Sequence, residues 1–246
     1  MKSVNISWEN KIMTNQLKRG GGVNDGRDFS ADSLMQLKKA AAHIRYLINE
    51  GYDIKSASVF VGNHFLLSER QRLALVRSIS TDEQLLLRGN KECAAEALCG
   101  ETVHIDGFNT IITLEIALCH SLLLECMDGT VRDLAGLRGT YRLIDKTKEA
   151  VGMIADTLEK FHVKKAVFYL DAPVSNSGRL KSLIASMWER RNMELDIQVI
   201  PDVDKILQEK SCVITADAII LDKCKSWFNL VSHCAGRMGA DLVRVW

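Results

Sequence analysis

The chain has 246 residues, 47% of them hydrophobic, enough to bury a sizeable core as one large domain or two modest ones. Lys and Arg number 32 against 31 Asp and Glu, so no global basic field announces nucleic acid, and any such binding must use local patches. The balance is uneven, about +3 over residues 1–100 and about −2 over 101–246, which places an acidic excess in the C-terminal part.

Residues 1–29 are polar, carry Gly20-Gly21-Gly22 and show no sustained apolar period, so they read as a flexible tail. The triple glycine has no strand before it and no Lys-Ser/Thr after it, which argues against a phosphate-cradling loop. From Ser30 the pattern changes. Leu34, Leu37, Ala41, Ile44 and Ile48 recur at spacings of three and four up to Gly51, the signature of an amphipathic helix. A second short helix is expected over 54–61, and Ser68-Glu69-Arg70-Gln71 is a capping box opening a third. A fourth is expected over 82–98, making residues 30–100 a small all-helical domain. Arg70, Arg72, Arg77 and Arg88 give the last two helices a basic side that could touch phosphates. The interspersed Glu69, Asp82 and Glu83 favour an ordinary solvated face.

After Gly100 short apolar runs alternate with helical stretches, as in α/β proteins. Strands are expected over 103–106, 122–126, 166–171, 197–200, 213–216 and 242–245, with helices around 147–161, 178–191 and 203–209. Residues 101–246 are therefore read as a three-layer α/β/α domain with a mainly parallel sheet. The longest apolar stretch, 111–124, has 14 residues and is interrupted by Glu115 and His120, short of the roughly 20 a membrane helix needs. No signal-peptide pattern opens the chain, and the seven cysteines include no C-x-x-C pair. A reduced, cytoplasmic protein without a membrane segment is the expectation. The histidines show no zinc or metalloprotease spacing.

Three apolar runs end in aspartate: Val103-His104-Ile105-Asp106, Val167-Phe168-Tyr169-Leu170-Asp171 and Val213-Ile214-Thr215-Ala216-Asp217. In a parallel sheet the carboxyl ends of the strands share one edge, so these carboxylates would converge there. Clustered carboxylates repel unless they share a hard cation, and Mg²⁺ or Mn²⁺ is the natural occupant. Such an ion lowers the pKa of bound water and neutralises a phosphodiester, which is hydrolytic nuclease chemistry. The competing reading is that each aspartate merely caps the next helix.

The motifs Asp106-Gly107-Phe108-Asn109 and Thr215-Ala216-Asp217, in that order, make the chain resemble the PIN-like and NYN nuclease superfamily. The resemblance implies a PIN-like fold, metal binding by Asp106 and Asp217, and an acidic centre completed by Asp171. It also implies that Asn109 orients Asp106 or a metal-bound water and that Thr215 fixes its loop. With Gly51-Tyr52 and Val61-Gly62-Asn63, the whole chain also resembles an uncharacterised prokaryotic family that joins a helical domain to such a C-terminal domain. That second resemblance implies an architecture and no activity.

The superfamily places a further acid on a middle helix, for which Asp128 and Asp133 are candidates; Asp128-Gly129 has turn composition, and Asp133 is preferred. Asp222, five residues after Asp217, is either a further metal ligand or the start of a helix. Arg132, Arg138 and Arg142 could form a basic rim for substrate, and Ser175 and Asn176, before the Gly178 helix, could bind a phosphate or simply cap. RNA, single-stranded or structured, is the expected partner, and a homo-oligomer is compatible with the pattern. The reading that results is a metal-dependent ribonuclease; its alternative is a PIN-like scaffold that binds RNA or protein without catalysis. Phosphatase chemistry of the haloacid dehalogenase type needs a second acid two residues after Asp106, where Phe108 stands. A Toprim-like site needs an Asp-x-Asp pair, and Asp202-x-Asp204 follows a proline and reads as a helix start.

Overall fold

Capping chemistry opens the helices of the N-terminal half. The structure, a computed structural model, describes residues 19–136 and 139–246. After a single turn, α1 (Asp25–Asp28), come α2 (Ala31–Asn49), α3 (Ile54–His64), α4 (Glu69–Ser78) and α5 (Asp82–Gly89). Ser30 and Asp53 accept from the backbone N–H groups of Ser33 and Ser56. Ser68 with Gln71 and Thr81 with Gln84 form reciprocal boxes that satisfy two orphan donors each.

Two expectations fail here for tertiary reasons. Residues 19–29 do not run free: Arg70 reaches Asp25 and the Gly20 carbonyl, Ser68 Oγ donates to Asp28 Oδ2 at 2.8 Å, and Phe29 is buried. Residues 1–18 of the expected tail lie outside the described residues. The fourth helix stops at Gly89 rather than running to Leu98. Trp227 intervenes, donating from Nε1 to Arg88 O at 2.9 Å and from its backbone to Lys91 O at 3.0 Å, and accepting from Cys93 N at 2.8 Å. These bonds replace the next helical turn, and only a 3-10 turn follows at Ala95–Leu98.

The second half is a mixed α/β region: β1 (Thr102–Asp106), α6 (Gly107–Leu118), β2 (Leu123–Glu125), β3 (Val131–Asp133), α7 (Asp145–Lys160), β4 (Lys165–Asp171), α8 (Ser177–Trp188), β5 (Glu194–Ile200), α9 (Val203–Leu207), β6 (Val213–Ile214), α10 (Ala218–Leu221), α11 (Leu230–Met238) and β7 (Leu242–Val243). The main sheet runs β5-β4-β1-β6 with every pair parallel. Its strands alternate faces as the pleat requires. Ala166, Phe168 and Leu170 of β4 join the core under α6, α7 and α8, whereas Val167 and Tyr169 pack with Val203, Leu207, Ile220 and Trp227 on the other side. Helices thus cover both faces, which is what an all-parallel sheet demands.

The expected strands at 122–126 and 242–245 belong to a second sheet, β3-β2-β7. In it β2 and β3 form a hairpin across Asp128 and Gly129, the latter at φ +76°, a backbone region glycine enters at no steric cost. The hairpin partner β3 was not among the expected strands, and its pairing with β2 puts Asp133 at the end of a strand instead of on the middle helix that the resemblance implied. Leu124, Cys126, Leu134 and Val245 pack into the same core as Leu37, Ile44, Val61 and Leu75 of the helical segment. A boundary at residue 100 therefore divides the sequence but not this core. None of the seven cysteines forms a disulfide. No helix among the described residues is long and apolar enough to cross a membrane.

Candidate functional site

The chain leaves β1, moves outward through β4 and β5, and returns to the opposite side of β1 as β6. That reversal places the carboxyl ends of β1 and β6 side by side, the usual ligand crevice of an open α/β sheet. A cleft of about 470 Å³ opens there. Asp106, Asp171 and Asp217 line it, as do Asn109 and Asp133, so the structure brings these five sequence candidates together.

Asp106 ends β1 and is also the N-cap of α6, accepting from Asn109 N at 3.4 Å. Thr215 Oγ1 donates to Asp106 Oδ2 at 2.9 Å and accepts from Asp217 N at 3.0 Å, so one hydroxyl ties the two acidic loops together. Asn109 Oδ1 accepts from Ala216 N at 2.8 Å. The asparagine of the first motif therefore steadies the loop of the second. Asp217 caps α10 through Ile219 N at 2.8 Å. Capping and clustering are thus the same geometry seen from two sides.

Gly107 is required where it stands. A Cβ there would lie 2.5 Å from Leu170 Cδ2 and 2.9 Å from the Tyr169 carbonyl oxygen, and a strand carbonyl cannot retreat. Gly107→Ala is expected to cost about 1–3 kcal/mol through overpacking, read as a lower urea midpoint with unchanged slope. A midpoint equal to that of the parent would show that α6 can lift from β4.

Burial pushes the Asp106 carboxyl up to about 7, Thr215 opposes the shift, and Asp217 and Asp204 add to it by like-charge repulsion. Asp171 and Asp204 are also raised, chiefly by desolvation, with Asp202 acting on both and Asp171 and Asp217 on Asp204. In the same cleft Thr113 Oγ1 donates to Asp133 Oδ2 at 2.9 Å, and Asp133 Oδ1 accepts from Ala135 N at 2.7 Å. Among the described residues no three His, Cys, Asp or Glu side chains are gathered tightly enough to form a ligand set. The donors suit a hard cation in kind, all being carboxylate oxygens held against mutual repulsion, and the side chains would have to close on it.

Several candidates have other work. Asp222 accepts from Arg88 Nε at 2.6 Å and Gln84 Nε2 at 3.1 Å, away from the cleft, because a residue five positions on along a helix points to a different face. Arg132 lines the cleft but is buried and committed, donating to Ala216 O at 2.6 Å, to Asp128 Oδ2 at 2.5 Å and to the Arg77 carbonyl. Ser175 Oγ accepts from Tyr141 N at 3.0 Å and Asn176 Nδ2 donates to Tyr141 O at 2.6 Å, so both pin a loop instead of offering donors to an anion. Arg142 is exposed and does not line the cleft. Arg138 lies outside the described residues. Asp128 is a structural anion between Arg88 and Arg132.

Glu115, on α6, does not line the cleft. It is buried against Arg19 Nε at 2.8 Å and accepts from Tyr141 Oη at 2.8 Å. Two cleft residues were missed. Asp204 sits in the first turn of α9, where its acidic neighbour Asp202 and the preceding proline signalled only a helix start. Arg77 was one of four arginines assigned to a solvated face. Arg70 and Arg88 are held in close ion pairs and Arg72 by Leu67 O and Asn63, while Arg77, in a longer ion pair of 3.4 Å with Asp133, lines the cleft.

Fold and site together define an open parallel α/β protein with an acidic cleft at its strand switch. The chain belongs to the family described as a domain of unknown function, DUF5616, whose model matches residues 95–233, and residues 36–91 match a protein of unknown function, DUF434. It is similar to the "Uncharacterized protein MJ0935" of Methanocaldococcus jannaschii, 33% identical over 187 residues, 76% of this chain and 89% of that protein. No solved structure matches the chain.

Proposed function

We propose that the chain is a metal-dependent ribonuclease with a PIN-like C-terminal region, hydrolysing RNA phosphodiester bonds in the acidic cleft. The observation that carries this reading is the meeting of Asp106, Asp171, Asp204 and Asp217 in one cleft at the carboxyl edge of a parallel sheet. The resemblance of Asp106-Gly107-Phe108-Asn109 and Thr215-Ala216-Asp217 to the PIN-like and NYN nucleases supports it. The four carboxylates would hold Mg²⁺ or Mn²⁺, oxygen-seeking ions that relieve the repulsion felt at Asp106. When bound, the ion supplies an acidified water and charge neutralisation on the phosphodiester. Thr215 and Asn109 keep Asp106 and the Asp217 loop in fixed relation, so the closure of carboxylates on the ion would start from a held frame. Asp133, anchored by Thr113 and Ala135 N, lines the same cleft as a further acid.

The test is incubation of the purified protein with labelled mixed-sequence single-stranded RNA in Mn²⁺, Mg²⁺ or EDTA, beside an Asp106→Asn, Asp217→Asn double variant. Cutting that needs the metal and disappears in the double variant is expected. Intact RNA in every tube overturns the reading and leaves a binding scaffold.

A further inference from the structure

The cleft walls carry five carboxylates, those of Asp106, Asp133, Asp171, Asp204 and Asp217, against two guanidinium groups, Arg77 and Arg132. A polyanion approaching such a wall is repelled unless a cation of the protein receives it. Arg132 is unsuited: it is buried, and its nitrogens are spent on Ala216 O, Asp128 and the Arg77 carbonyl. Arg77 differs. It comes from the last turn of α4, in the helical segment, lines the cleft and keeps 31% of its side chain exposed. It touches the end of β3 through the Asp133 carbonyl, with longer contacts of 3.4 Å to Asp133 Oδ1 and 3.3 Å to Ala135 O. Those longer contacts are weak enough for a phosphate to replace, and an arginine fork suits two oxygens of one phosphate.

We infer that Arg77 is the substrate-anchoring residue of the cleft, its guanidinium taking non-bridging oxygens of a nucleic-acid phosphate beside the carboxylates. The inference rests on the nuclease reading for the identity of the ligand. It gives the helical segment a function: α4 delivers the cation that the acidic α/β half lacks at this place. Arg132 contributes by gripping the Arg77 carbonyl, which fixes where the anchor emerges.

The test measures binding of a short labelled single-stranded RNA by anisotropy across a salt series, in an Asp217→Asn background that silences cutting. Arg77→Gln is expected to weaken binding about tenfold and to flatten the slope of log K against log salt by about 0.7, the share of one phosphate contact on a single strand. Arg77→Lys is expected to keep the slope while losing part of the affinity, because the charge stays and the fork goes. An unchanged slope in Arg77→Gln, with metal-dependent cutting intact in the parent, overturns the inference and leaves the nuclease reading standing. The inference falls equally if Arg77→Gln lowers the melting temperature without changing the slope, since Arg77 is then a latch between α4 and β3. Failure of every variant to bind RNA overturns the inference, and overturns the nuclease reading too where the parent also leaves RNA uncut.

Discussion

Asp106→Asn is expected to stabilise the protein by about 4 kcal/mol near pH 8 while removing its proposed activity, from a carboxyl shifted from 3.8 to about 7 at about 1.4 kcal/mol per unit. The sign follows from proton binding. Asp106 is almost completely buried, so the folded protein holds this proton more tightly than the unfolded chain does. Its protonated form contributes stability that is fully present below the unfolded value near 3.8 and is lost as pH rises to about 7. The variant, neutral throughout, should match the parent at about pH 4 and exceed it progressively above, as denaturant unfolding at several pH values would show. Millimolar Mn²⁺ should narrow the gap by binding the folded parent alone. A gap of the same size at every pH would mean that burial does not govern this carboxyl. An acid kept where it destabilises the fold is the pattern expected of a working site.

Arg132→Met should lower stability by about 3–5 kcal/mol, the usual loss when one partner of a buried charge pair is removed. Its guanidinium binds Ala216 O, the Arg77 carbonyl and Asp128, linking the β6 end, α4 and the hairpin. Asp128 retains Arg88 at 2.6 Å and Thr130 Oγ1 at 2.6 Å, so the variant should fold, with the Ala216 and Arg77 carbonyls short of a donor. Arg132→Lys should recover little, because one ammonium cannot span three acceptors on diverging elements. The measurement is the urea midpoint, paired with RNA cutting, which should fall further than stability predicts since Ala216 precedes Asp217. A loss under about 1 kcal/mol would show that water substitutes for the guanidinium.

Much of the molecule was legible locally. The N-terminal helices, the Ser68 capping box, and the strands ending at Asp106 and Asp171 depend on hydrogen bonds and periodicities spanning only a few residues. Acids at the ends of parallel strands must share an edge, so the gathering of Asp106, Asp171 and Asp217 followed from the pattern itself. The short strand β3 was not legible: three residues carry too little periodicity, and it exists because β2 lies beside it.

Side-chain destinations were the other gap. Arg77, Arg88 and Arg132 look alike in sequence, yet the first lines the cleft partly exposed, the second is sealed between Asp128 and Asp222, and the third lines the cleft buried, clamping two carbonyls. Asp204 and Asp222 are equally alike, and only the former reaches the site. The sequence by itself determined where strands end in acids and which residues cap, because those are properties of neighbours in the chain. Only the tertiary structure decided which charges face each other, because a long polar side chain takes the partner that distant segments bring within hydrogen-bond reach, and burial then makes that choice costly to reverse.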